Sequence, residues 1–208
     1  MPNDTRATVR QYWVAIRAML VLTVVLGIAY PLVITAIGQV TANSHANGSL
    51  TSIGGKTVAS TLIGQGYTDK KGNPLTQWFQ SRPSAAGTGY DANNSSASNL
   101  GPNNPVLIAA IKQRKAIIEK TYGVTAAQIP ADAVTASGSG LDPDISPAYA
   151  ALQVKKVAQT RGISVATVEK LVKQNTQGRE LGFIGDPVVN VVQLNIDLAK
   201  IDPADNGS

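Results

Sequence analysis

Residues 18–38, AMLVLTVVLGIAYPLVITAIG, contain no charged side chain. Their polar members are mild: Thr23, Tyr30 and Thr35. About 20 mostly apolar residues suffice to carry a helix across the hydrocarbon core of a bilayer. A surface helix of that length in a soluble protein shows a polar face, and none is visible here. In lipid a helix satisfies its own backbone polar groups without water. The stretch therefore predicts one transmembrane helix, Ala18 to Gly38. Pro31 removes a donor from its ladder and predicts a kink. The competing reading is a cleaved signal peptide, with Ala36-Ile37-Gly38 as a small-x-small site. The apolar run exceeds the roughly 7–15 residues usual for a signal, which favours an uncleaved anchor.

The flanking charges orient the span. Arg6, Arg10 and Arg17 precede it, against Asp4, and the next charged residue is Lys56. The positive-inside rule places the N-terminus in the cytoplasm. The expected division is a cytoplasmic segment 1–17, a span 18–38, a small-residue linker 39–55 and an extracytoplasmic domain 56–208. The expected location is a membrane that the chain crosses once. The remainder is long enough for one domain with a core.

That domain reads as mixed, so the fold class is α+β behind a single spanning helix. A short strand is expected over Thr57–Ile63 and a turn over Asp69–Pro74. Leu75–Gln80 reads as a strand carrying Trp78 and Phe79. Residues 86–105 are rich in Gly, Asn and Ser and read as a solvated loop. Val106–Tyr122 has helical periodicity and Gly123 closes it. Residues 129–136 read as extended. Ser146 followed by Pro147 starts a helix that ends at Gly162. Ser164 starts another over Val165–Gln174. Val188–Leu198 alternates from Val192 onward and reads as a final strand.

Chemistry is sparse. The chain has no cysteine, which removes disulfides, thiol nucleophiles and Cys-based metal sites. The single histidine, His45, lies in the expected linker. Ser139 lies between glycines, but a nucleophile elbow needs Gly at 137, where serine stands. Asp142 and Asp144 begin a calcium-loop spacing that fails at its sixth and twelfth positions; they read as acids complementing the start of the next helix. No phosphate loop, dinucleotide fingerprint or His-Glu-x-x-His is present. Catalysis by this chain is not expected, nor a metal site. The formal charge of +5 is too small an excess to argue for nucleic acid. One segment pulls the other way. In residues 153–171, Ala158, Gly162, Ile163, Thr167 and Val168 fall where a DNA-binding helix-turn-helix places them. A membrane-linked regulator is thus the alternative, opposed by a topology that puts the segment outside the cytoplasm.

Several stretches then carry a resemblance. They are Tyr30-Pro31, NGSL (47–50), LIGQ (62–65), WFQSRPSA (78–85), SNLG (98–101), VTASGSGLDPDISP (134–147), Gln153 with Val157-Ala158, and IGDPVVNVVQLNIDL (184–198). In this order and spacing the chain resembles the C-subunit family of the bacterial Kdp-type potassium-transporting ATPases. It departs at Lys156, where arginine is common, and at Asp186, which replaces Glu or Gln. The resemblance implies a single-spanning, non-catalytic subunit of a complex that imports potassium using ATP. Its partners would be a channel-like, potassium-binding subunit and a P-type ATPase subunit phosphorylated on Asp. ATP and potassium would be handled by the complex, with no cofactor tightly bound here.

Two roles follow from the resemblance. One is a catalytic chaperone that raises ATP affinity, with Gln153 touching nucleotide. The other is a place at the outer ion entrance, which suits the charge pattern because ATP is cytoplasmic. Gln153 borders the apolar face of its helix, where an amide also serves to satisfy a neighbouring backbone group. Arg82, Ser84, Asn99 and Asp142 are the candidate partner contacts. Arg82 would offer a donor fork to a partner carboxylate, the alternative being stacking on Trp78.

Overall fold

The computed structural model describes residues 5–201. Asp4, one of the flanking charges, lies outside the described residues. The chain forms two compact units, residues 1–49 and 50–208.

The first unit is a helical run. Helix α1 (Thr5–Leu22) continues through a π-helical stretch (Thr23–Ala29) into α2 (Tyr30–Thr41). Its apolar part, Ala7–Thr41, covers 35 residues and is long and apolar enough to cross a membrane. At 1.5 Å per residue this is roughly 50 Å, longer than the hydrocarbon core. The helix therefore starts before Ala18 and ends beyond Gly38. Large apolar side chains are exposed all round it, as a lipid-facing surface requires. At the expected kink, the helix widens on the N-terminal side of Pro31. The Tyr30 N–H bonds to Val25 O, five residues back. A proline ring crowds the carbonyl four residues before it, and one π turn relieves that contact without leaving the helix. A single turn, α3 (Asn43–Ala46), follows. His45 Nδ1 lies 3.2 Å from Ser49 Oγ, so this part of the expected linker is folded.

The rest of that linker is folded too. Strands β1 (Leu50–Ile53) and β2 (Lys56–Ser60) form an antiparallel hairpin. Gly54 and Gly55 join them, both at positive φ (56° and 78°), which is the chemistry of a two-residue primed turn.

The main domain follows from its helix caps. Asn104 accepts from Val106 N–H and starts α4 (Pro105–Tyr122), which Gly123 closes. Ser146 accepts from Tyr149 N–H and starts α5 (Pro147–Arg161), closed by Gly162. Ser164 caps α6 (Val165–Gln174). Short strands β3 (Asp144–Ile145), β4 (Thr176–Gln177) and β5 (Val188–Asn190) form an antiparallel sheet in the order β3-β5-β4. Phe79, Ile145, Tyr149, Val157, Val168, Val189, Leu194 and Leu198 are all within the core.

Three expected elements differ. The final strand is only β5; the chain then turns into α7 (Val191–Ile201). Asn190 Oδ1 accepts from Gln193 N–H at 3.0 Å and caps that helix. Val191, Leu194, Asn195, Leu198 and Ala199 are buried at helical spacing, and the alternation from Val192 was incidental to it. Within residues 129–136 only Ile129 and Pro130 are extended before the 3-10 turn Ala131–Ala133, and another 3-10 turn, Ala126–Gln128, precedes them. Leu75–Gln80 forms no strand; Trp78 N–H bonds back to Leu75 O.

The long loop is irregular, as expected, but its first half is anchored. Ser96 N–H and Ser95 Oγ both donate to Ser139 O, and Ser96 Oγ donates to Ala85 O. Gly140 sits inside this contact at φ 69°, and a Cβ there would lie 2.7 Å from Ala86 N and Ser96 O. Gly140→Ala is expected to destabilise the full chain by more than about 1 kcal/mol. Thermal unfolding should show a fall of roughly 3 °C or more.

Candidate functional site

The segment Gln77–Arg82 has no strand beside it, yet it is buried: Phe79 is 0% exposed and Gln80 is 6%. Buried backbone groups must find partners. Here side-chain amides supply them. Asn195 of α7 accepts from Phe79 N–H at 2.9 Å and donates to Phe79 O at 3.0 Å. Gln153 of α5 accepts from Gln80 N–H at 2.6 Å and donates to Gln80 O at 3.2 Å. Two successive residues are thus each held by both N–H and C=O, as strands on the two sides of the segment would hold them. Arg161, the last residue of α5, donates from Nε to Gln77 O at 2.7 Å. Its guanidinium lies 4.3 Å from the centre of the Trp78 ring. The cation on Trp78 is therefore Arg161 and not Arg82.

Tyr122 of α4 donates its hydroxyl to Gln153 Oε1 at 3.4 Å, a weak third contact. Burial pushes the Tyr122 and Tyr149 hydroxyls upward, so both stay protonated. Gln153 itself is 0% exposed, with both atoms of its amide engaged.

Arg82, Ser84 and Asp142 come together beside this cradle. Arg82 Nη1 donates to Asp142 Oδ2 at 2.9 Å, a half-exposed ion pair within the chain. Ser84 Oγ donates to Gly140 O and accepts from Ala86 N–H and Tyr90 N–H. The Tyr90 hydroxyl donates to Arg82 O, and burial raises its pKa to about 12. Asn99 stands apart, exposed, at φ 51°.

Asp142 and Asp144 do not serve the start of α5. Asp142 pairs with Arg82 and accepts from Asp144 N–H, while Asp144 lies in β3, its pKa raised by burial and by Asp142. The acid at that helix start is Asp132, which accepts from both Ser146 N–H and Ser146 Oγ. Asp186 pairs with Arg179 at 2.9 Å on the exposed surface. Among the described residues no group of three His, Cys, Asp or Glu side chains is placed to hold a metal.

Asn195 and Arg161 were not among the sequence candidates. A strand reading of 188–198 hides Asn195. Nothing in the sequence joins Arg161 to Trp78, whereas the amides Gln193 and Asn195 inside VVQLNIDL were a visible signal.

The sequence matches the family model described as "KdpC: K+-transporting ATPase, c chain" over residues 12–200. Curated proteins named "Potassium-transporting ATPase KdpC subunit" resemble it closely. The Streptomyces avermitilis protein is 45% identical, covering 97% of this chain and 98% of its own. The Kineococcus radiotolerans protein is 44% identical over 93% and 95%. The Mycobacterium tuberculosis protein is 46% identical over 92% and 99%. These matches give the DNA-binding alternative no support. The segment that suggested it is the α5–α6 hairpin, whose Ala158 and Val168 pack into the core.

Removing either buried amide orphans a backbone N–H and C=O. Gln153→Ala and Asn195→Ala should each cost at least about 1–3 kcal/mol. Because both clamp one segment, the double variant should be less than additive in denaturant unfolding of the full chain.

Proposed function

Because the chain belongs to the KdpC family, the c chain of the K+-transporting ATPase, we propose that it is a non-catalytic assembly subunit of an ATP-driven potassium importer. It is anchored by one spanning helix, with the N-terminus in the cytoplasm and the main domain on the outer face. Its partners are the potassium-binding, channel-like subunit and the P-type ATPase subunit of such complexes. ATP and potassium are handled by those partners, and no cofactor is held by this chain.

The observation that carries this reading is the state of Gln153. Its amide is 0% exposed and spent on the Gln80 backbone. A nucleotide reaching it would have to open the core and leave that backbone unpaired. Of the two roles the resemblance offers, a place at the outer face of the channel-like subunit agrees with this burial and with the arginines before the span. Gln153 then acts through the shape of the domain.

Two measurements test the reading. Alkaline phosphatase fused after Ser208 should be active, and a reporter that works only in the cytoplasm should be silent; the opposite pattern reverses the topology. In complexes that assemble with Gln153→Ala, the apparent ATP constant should stay unchanged at saturating potassium. A lost nucleotide hydrogen bond would instead raise it roughly 2- to 13-fold.

A further inference from the structure

A cleft of about 470 Å³ opens beside the amide cradle. That is within the range of sites that take a drug-sized group. Tyr67, Tyr90 and Tyr122 form much of its wall, and Arg82 and Arg114 reach it. Among the described residues no carboxylate lines it. The two cations differ. Arg82 is already paired with Asp142. Arg114, on α4, makes one hydrogen bond, from Nη1 to Val134 O at 2.8 Å, and pairs with no carboxylate among the described residues.

We propose that this cleft is a docking site for an acidic loop of another subunit of the transport ATPase, with Arg114 taking the loop's carboxylate. The inference rests on the assembly reading above. The Arg114 guanidinium is partly buried and is met by one backbone carbonyl, which satisfies one N–H but leaves the charge itself unpaired among the described residues. Burial pushes the Arg114 pKa down, in the direction that a nearby carboxylate would reverse. An incoming carboxylate pairs that charge through charge-assisted, bidentate hydrogen bonds on the Nη2 and Nε side. The rest of the cleft suits a peptide. Ile117 is 36% exposed at its wall, offering an apolar contact beside the cation, and the tyrosines offer broad faces for a neighbouring side chain. The cleft is open to solvent and not enclosed, so a chain can enter and leave it. Charge complementarity selects the occupant: a cationic, carboxylate-free cleft on a subunit that works within an assembly.

The test uses the whole complex. A photo-crosslinking p-benzoylphenylalanine replaces Thr88, an exposed residue on the rim, and Thr68, another exposed residue of the wall, in a second variant. Irradiation should join the chain to another subunit at a peptide with Asp or Glu within a few residues. Arg114→Gln should cut the yield at limiting partner concentration by roughly tenfold, the loss of one charge-assisted contact. Arg114→Lys should retain part of it. A complex that purifies intact yet gives no crosslink at either position overturns the proposal. So does a crosslink to a peptide without an acid, or one indifferent to Arg114→Gln. Protection of Arg114 from phenylglyoxal by added benzoate, with no subunit crosslink, would assign the cleft to a free carboxylate and also overturn it. Failure of the unsubstituted chain to copurify with any ATPase subunit would sink the assembly reading instead.

Discussion

The main domain depends on an unusual solution to backbone satisfaction. The segment around Phe79 must be buried, because Phe79 is among the largest side chains sealed in the core. Its backbone polar groups go with it, and no strand lies alongside. Asn195 and Gln153 stand in for strands on its two sides, one amide per residue, each giving one donor and one acceptor. An amide is the side chain that can do this, since it matches a peptide group in both directions. The helices that carry them, α7 and α5, are consequently tied to one segment from two sides. Arg161 extends the arrangement by holding Gln77 O and covering Trp78.

The same arrangement explains which parts of the fold could be read from the chain. Helix boundaries set by local chemistry were legible: Ser146-Pro147, Gly162 and Ser164 fall where α5 and α6 begin and end. Those signals act within four residues and owe nothing to the rest of the domain. Leu75–Gln80 and Val188–Leu198 were misread for a common reason. Both are apolar runs whose partners are remote, and a short apolar run does not say whether a strand, a helix or a pair of amides will satisfy it. The Gly54-Gly55 hairpin was half legible: its second strand overlaps the one expected over Thr57–Ile63, while its first, Leu50–Ile53, is hidden among the small residues of the expected linker, although the glycine pair itself is a turn signal. For the candidate site, the motif WFQSRPSA was visible as a unit, but what it touches was not. Gln153 lies 73 residues from Gln80 and Asn195 lies 116 from Phe79. Asp142 was visible and its partner was not, since sequence spacing places an acid near a helix start without saying that Arg82 will reach it.

The membrane helix obeys a different constraint. There the backbone must be satisfied inside the segment, because lipid offers nothing. Pro31 breaks that rule by one donor, and the π-helical stretch before it absorbs the consequence within the helix. In the main domain a missing partner is supplied from elsewhere in the chain; in the helix it is supplied by a change of pitch. Family membership over residues 12–200 covers both units, so neither is an accidental attachment to the other.

The amide cradle and the cleft share a wall. Gln80, Arg82 and Tyr122 all face the cleft, and Tyr122 also reaches Gln153 through its hydroxyl. A change at Gln153 therefore has a short physical route to the surface. If Gln80 loses its clamp, the segment that presents Arg82 and supports the Tyr122 ring loses its reference position. The effect at the cleft needs no nucleotide and no long-range coupling, only the loosening of one buried segment whose other side is solvent-facing. This gives a substitution at a fully buried residue the means to alter the surface that the cleft presents.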